Sequence, residues 1–172
     1  MNRPAFLRDQ PGDPEALNLQ IEARQQLLDS LEPFERLLCL GELGSLYRSL
    51  QNYPAAQSYF KQALKLAITL KDFKRVAANL VRLGVAKHYA GQWTEAQACF
   101  EQVLEDSRLE FQAYHDFAWQ HLGKLKVEQN ELAFASDCFE QALALRQIKQ
   151  DPELIRSTKL AIHVLEERRT SV

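Results

Sequence analysis

A repeated spacing of helix-compatible residues occurs three times in the middle of the chain and constrains the fold more than any other feature. In each copy a Leu-Gly pair is followed by an alanine twelve residues after the glycine and a phenylalanine four residues later, and a small residue comes three positions further on. The three copies are Leu40-x-x-Leu43-Gly44 with Ala56, Phe60 and Ala63; Leu80-x-x-Leu83-Gly84 with Ala96, Phe100 and Val103; and Trp119-x-x-Leu122-Gly123 with Ala135, Phe139 and Ala142. Because the internal spacing never varies, each copy is one structural unit.

The same region favours helices and disfavours strands. No proline occurs between Pro54 and Pro152, and apolar residues recur at helical spacing. The pattern predicts helices over residues 14–31, 34–50, 54–70, 73–90, 93–107, 111–128, 131–148 and 152–168. Breaks are expected at Gln51-Asn52, Lys71-Asp72, Gly91-Gln92, Gln129-Asn130 and Gln150-Asp151. The predicted fold class is all-α.

The repeated glycine has a physical explanation in a pair of packed helices. A glycine inside a helix costs about 0.5–1 kcal/mol relative to alanine, so a close helix contact must offset it. We expect the alanine twelve residues later to lie on the facing helix and permit that contact, with the phenylalanine filling the space one turn on. One such pair cannot bury its own apolar face and must stack on its neighbours.

These residues resemble the tetratricopeptide repeat (TPR) family, whose pattern is Trp/Leu-x-x-Leu-Gly, then Tyr, then Ala-x-x-x-Phe and Ala. The resemblance implies a right-handed α-solenoid of three helix-turn-helix repeats with a capping helix at each end. The glycines are 40 and then 39 residues apart, against about 34 in the family. We expect the surplus to lengthen the helices, as in a long-helix subclass with a period of about 40 residues. Lys87 and Lys126 replace the family's tyrosine, which only Tyr47 retains, so either the packing there is looser or the lysine stems extend outwards.

The domain boundaries follow from the repeat. We expect residues 1–13 to be a flexible N-terminal segment, residues 14–168 one TPR-like domain, and residues 169–172 a tail. Within the domain the predicted parts are an N-terminal cap half-repeat at 14–36, repeats at 37–76, 77–115 and 116–150, and a C-terminal capping helix at 151–168. In the first cap Ala16 and Ala23 correspond to Ala56 and Ala63, and polar Gln20 replaces the core phenylalanine. The apolar face of the last helix is predicted as Leu154, Ile155, Leu160, Ile162 and Leu165.

Composition and motifs exclude several classes of function. A formal charge of -2 argues against a nucleic-acid partner, and no apolar run approaches the ~20 residues that cross a bilayer. Three cysteines without metal-ligand spacing indicate buried, reduced thiols and a cytoplasmic protein. The sequence contains no recognisable catalytic, metal or cofactor motif. His115 and Asp116 are the residue types of a catalytic base and the carboxylate that orients it. They are adjacent in the sequence, however, and neighbouring residues on a helix point in different directions, so the two do not form such a pair. We therefore expect no enzyme activity and no cofactor.

The resemblance implies a partner-binding groove along the first helix of each repeat. Transferred by position, its lining is Gly41, Glu42, Ser45, Arg48, Ser49, Val81, Arg82, Val85, His88, Tyr89, Gln120, His121, Lys124, Val127 and Glu128. The residues selected as partner-binding are Arg48, Arg82, Val85, His88, Tyr89, Gln120, His121 and Lys124. The three cations among them favour an extended or helical segment of another protein with some acidic character. The protein is thus expected to be a protein-interaction adaptor. A homo-oligomeric scaffold and a peptide-sensing regulatory module are the alternatives.

Overall fold

The computed structural model describes residues 6–170, and within that range every regular element is helical. The helices are α1 Pro14–Leu27, α2 Pro33–Ser49, α3 Tyr53–Thr69, α4 Phe73–Tyr89, α5 Trp93–Glu105, α6 Leu109–Gln112, α7 His115–Gln129, α8 Leu132–Lys149 and α9 Pro152–Thr170. A short 3-10 turn, Leu28–Ser30, follows α1. The predicted all-α fold is confirmed. Expectations for residues 1–5 and 171–172 lie outside the described residues.

The helix breaks occur where the sequence predicts them. Each turn contains one residue with positive φ: Gln51, Lys71, Gly91, Asn130 and Gln150. A left-handed residue just past a helix end reverses the chain while satisfying the last carbonyl groups. Asp72 and Asp151 then cap the following helices by accepting hydrogen bonds from backbone N–H groups.

The connection between α5 and α7 differs from the prediction. The sequence predicts one helix from residue 111, whereas the chain forms the short helix α6 and begins α7 only at His115. Phe111 is buried and anchors α6, and the Arg108 guanidinium lies 4.7 Å from its ring centroid. Hydrogen bonds from Arg108 lower the pKa of Asp106 to about 2. The residues by which the second glycine-to-glycine interval exceeds the family's usual period therefore form a connecting segment between α5 and α7 rather than longer helices.

Residues 9–99 form one compact unit. In it α1 packs on α2, α2 on α3, and α3 on α4. Its core includes one cluster of Ile21, Cys39 and Leu43 and another of Ala56, Phe60, Leu83, Ala86 and Cys99.

Residues 6–8 and 100–170 form a second unit, and the division between the units falls inside α5. Here α7 packs on α8 and α9, and α8 packs on α9. Its core includes a cluster of Phe6, Val127, Ala135, Phe139, Ala161 and Leu165. Phe6 is 4% exposed, so the expected flexibility of residues 1–13 does not describe this part of the chain.

The cap helices are present; the buried face of α1 differs from the predicted one, whereas that of α9 agrees with the prediction except at Leu160. In α1, Ala16 and Ala23 are exposed and Ile21 is buried, so the correspondence with α3 fails. In α9, Leu165 is buried as predicted and Leu154, Ile155 and Ile162 are half-buried, whereas Leu160 is 51% exposed and Ala161 is buried instead. The apolar residues of a short amphipathic helix fit more than one face, and packing selects among them.

Candidate functional site

The eight residues predicted to bind a partner lie on α2, α4 and α7, and most of them are covered. Val85, His88, Tyr89, Gln120 and Lys124 are buried, Arg48 and His121 are half-buried, and Arg82 is exposed. Five of the eight are therefore buried in this structure, and the role of the eight in partner binding stays a prediction.

A carboxylate near the end of α7 binds the N-terminal segment, a name we use for residues 6–8. Glu128 Oε1 accepts a hydrogen bond from the backbone N–H of Phe6 at 3.0 Å. The guanidinium of Arg8 donates to both carboxylate oxygens, with Nε to Oε1 at 2.9 Å and Nη2 to Oε2 at 2.6 Å. The Glu128 side chain is only 2% exposed. A bidentate, charge-assisted pair in such surroundings fixes both position and orientation.

A lysine one helical turn earlier binds the same segment. Lys124 Nζ donates to the backbone carbonyl of Leu7 at 2.7 Å. Lys124 and Glu128 are four residues apart and therefore lie on one face of α7. Together they bind one N–H and one carbonyl of the segment's backbone, groups that almost every residue of any polypeptide carries.

An apolar pocket beside Glu128 holds the aromatic ring of the segment. The ring of Phe6 stacks on that of Phe139, with centroids 6.1 Å apart and planes inclined by 25°. The pocket is completed by Val127, Ala135, Ala161 and Leu165. The two alanines leave the room that a phenyl ring needs. An aromatic ring enclosed in this way contributes through the apolar area it buries.

In the unit formed by residues 9–99, two of the predicted residues contact Asp9. Arg48 Nη1 lies 2.5 Å from Asp9 Oδ2, and the Asp9 backbone N–H donates to the Tyr89 hydroxyl at 3.2 Å. The backbone N–H of Gly12 donates to the carbonyl of Ser49 at 3.3 Å. Arg48 thus binds an acidic side chain of the same protein, and its predicted contact with an acidic partner stays a prediction.

Gln120 belongs to a buried polar network that joins α7, α8 and α9. Its Oε1 accepts from Arg146 Nη1 at 3.2 Å, and the same nitrogen donates to Thr158 Oγ1 at 2.7 Å. Arg146 Nε donates to Asp116 Oδ2 at 3.0 Å, and Lys149 also pairs with Asp116. Asp116, Arg146 and Thr158 are each at most 2% exposed. Gln120 contributes to this network in the structure, and its role in partner binding stays a prediction.

The remaining predicted residues have separate surroundings. The His121 ring stacks on Phe100 with centroids 6.1 Å apart, and the His88 ring lies 5.5 Å from that of Tyr89. Val85 is 2% exposed. The Arg82 side chain ends close to Gly41: a Cβ atom placed on Gly41 would lie 3.0 Å from Arg82 Nη1.

The sequence prediction misses the segment and its main anchor. It assigns Phe6 and Arg8 to a flexible region, and it places Glu128 in the lining without selecting it. Phe6 is the only aromatic residue before Phe34, and prolines at positions 4 and 11 flank it. An isolated aromatic residue followed by Leu7, outside the predicted helices, is the available signal for docking.

The described residues show neither a metal site nor a membrane span. No cluster of three His, Cys, Asp or Glu side chains between residues 6 and 170 could hold a metal ion. None of the helices described is both long and apolar enough to cross a bilayer. All three cysteines are free and buried, as predicted, and burial raises the pKa of Cys138 to about 12.

The repeat geometry agrees with comparisons to known families. Two models described as "Tetratricopeptide repeat" match residues 39–72 and 75–148, which together make up more than half of the chain. The chain belongs to the tetratricopeptide repeat family. The comparison with curated proteins returned no match. TPR domains generally mediate protein–protein interactions and are typically non-catalytic.

The TPR signature residues pack in a characteristic way in both units. A Cβ built on Gly44 would lie 2.6 Å from the ring of Phe60, and one built on Gly123 would lie 2.6 Å from the ring of Phe139. The phenylalanine, rather than the alanine expected from the sequence, is therefore what requires glycine. Phe139 also stacks on Phe6, so one signature residue of the TPR lies directly under the N-terminal segment.

Proposed function

We propose that this TPR protein is a non-catalytic adaptor that binds an extended segment of a partner protein on the face of α7. The observation that carries the proposal is the pair Lys124 and Glu128, which binds a backbone carbonyl and a backbone N–H of the N-terminal segment. An extended partner segment would offer the same two groups. A helical partner would not, because its backbone groups bond within the helix.

We propose a second partner contact in the unit formed by residues 9–99, where an acidic residue of the partner would bind. Arg48 and Tyr89 bind the side chain and the backbone N–H of Asp9. An acidic residue of a partner would fit the same pair, because a guanidinium binds a carboxylate with charge-assisted hydrogen bonds. Free, buried cysteines support a reducing compartment, and we propose the cytoplasm.

The test is affinity capture from source cells with tagged protein, followed by cross-linking and mass spectrometry. Glu128→Gln and Arg48→Glu each remove one contact. Arg156→Glu is the matched control, because Arg156 is 78% exposed on α9. Circular dichroism checks that every variant is folded.

We expect recovery of the specific partner to fall at least fivefold in both site variants and to stay unchanged in the control. Cross-links should connect the partner segment to α7. Equal recovery with all four proteins, or cross-links only to other faces, would contradict the proposed function.

A further inference from the structure

We propose that residues 6–8 are an intramolecular ligand of the α7 surface, which a partner segment binds only by displacing them. We infer further that the partner segment carries an arginine two residues after an aromatic residue. The inference rests on the proposed function, because it concerns the same surface. It adds a regulatory state, in which the protein's own N-terminal segment closes the site, and the chemistry of the displacing segment.

The contacts of the segment are those of a bound ligand. Its backbone is bound at two points, its aromatic ring is enclosed, and its guanidinium forms a bidentate ion pair. Phe6 is 4% exposed and the Glu128 side chain 2%. While the segment is docked, no second polypeptide can reach the same carboxylate and pocket.

Displacement sets a requirement for whatever replaces the segment. A partner that covered Glu128 without a cation would bury a carboxylate away from water without the guanidinium, which is strongly unfavourable. A partner without an aromatic side chain would leave the pocket around Phe139 empty. Both needs are met by an aromatic residue followed two positions later by arginine, the spacing of Phe6 and Arg8.

The attachment of the segment allows release. Residues 9–13, all exposed, connect it to α1, which begins at Pro14, and within this link Asp9 and Gly12 bind Arg48 and Ser49. Leu7 has a φ of 46°, a left-handed conformation that a residue with a side chain seldom adopts. The segment is thus held by its contacts and not by its own backbone preference.

The experiment uses a fluorescein-labelled peptide with the sequence of residues 4–12 and measures its binding by fluorescence anisotropy. The proteins are the unmodified protein and the double variant Phe6→Ala/Arg8→Ala, in which the internal segment binds α7 more weakly. A third protein adds Glu128→Gln to the double variant. Three further peptides carry alanine in place of the phenylalanine, of the arginine, or of the glutamine at position 10 as the matched control.

We expect the peptide to bind the double variant at least tenfold more tightly than the unmodified protein, because the occupied fraction of the site reduces apparent affinity. Glu128→Gln should remove most of this gain. The peptides without phenylalanine or arginine should bind at least tenfold more weakly than the control peptide.

The inference is overturned if the peptide binds the unmodified protein and the double variant equally, or binds neither. It is also overturned if light scattering shows that the segment is exchanged between two copies in a stable dimer. If the double variant fails to fold, a protease site is inserted at residues 10–12 instead. Cleavage at this site frees the segment from the folded protein, and the labelled peptide must then bind the vacated site on α7. Neither result depends on the partner found by affinity capture, so failure of the inference and failure of the proposed function are separable.

Discussion

Gly41 and Gly44 lie one turn apart on α2, and their surroundings differ sharply. A Cβ at Gly44 would lie 2.6 Å from the aromatic ring of Phe60, which is fully buried. A Cβ at Gly41 would meet first the end of the Arg82 side chain at 3.0 Å. A flexible side-chain end can move, whereas a buried ring cannot move without disturbing the core.

We therefore predict opposite effects of the two alanine substitutions. Gly44→Ala should lower the free energy of unfolding by about 1–3 kcal/mol, because it overpacks the core. Gly41→Ala should raise it by up to about 1 kcal/mol, because alanine is the better helix former. Urea denaturation followed by circular dichroism measures both values. Equal effects of the two variants would contradict the packing assigned to Gly44.

Lys126 shows how a single residue can depart from the TPR pattern without loosening the core. Its stem is buried, with the residue 5% exposed, and its Nζ lies 3.1 Å from both carboxylate oxygens of Glu131. The amino group also lies 5.2 Å from the ring centroid of Phe134. The side chain packs along its aliphatic part and reaches a charge partner at the surface, as long basic residues do.

At the scale of helices, α7, α8 and α9 are joined by a buried polar network as well as by apolar packing. Asp116 on α7 pairs with Arg146 and Lys149 on α8, and Arg146 in turn bonds Thr158 on α9. Every member of such a network depends on the others, because a buried charge without its partner is unfavourable.

Asp116→Asn should therefore destabilise the protein by about 3–5 kcal/mol, since it leaves the buried guanidinium of Arg146 without its counter-charge. The control is Arg156→Ala, which removes an exposed ion pair with Glu153 at 3.6 Å. This control should change the free energy of unfolding by no more than about 0.5 kcal/mol. Chemical denaturation compares the two, and a loss below about 1 kcal/mol for Asp116→Asn would disprove the assigned role.

The helices and their breaks are predictable because the code for them is local. The glycine, alanine and phenylalanine recur at fixed spacing, and turn residues such as Asn130 and Gly91 mark the helix ends. The short helix α6 is not predictable in this way, because it depends on the burial of Phe111. Periodicity alone cannot show which apolar residue of a connecting segment will be buried.

For the molecule as a whole, the main departure from the sequence prediction is the N-terminal segment. Phe6 and Glu128 are 122 residues apart, and no local pattern links positions at that distance. The groove prediction places α7 and Lys124 at the partner surface from the TPR resemblance, but it does not include the segment of the chain that covers them. Transferring a site by its position in the repeat identifies the helix face, but it cannot show that another part of the same chain already covers that face.

The central claim is that residues 6–8 are docked on α7, and amide hydrogen exchange measured by NMR tests it most directly. The backbone N–H of Phe6 donates to Glu128 in a buried setting, so its exchange should be at least ~10-fold slower than in an unstructured peptide. In Glu128→Gln that protection should fall, while amides in the middle of α8 keep theirs. Exchange of the Phe6 amide at the free-peptide rate in the unmodified protein would contradict the docking.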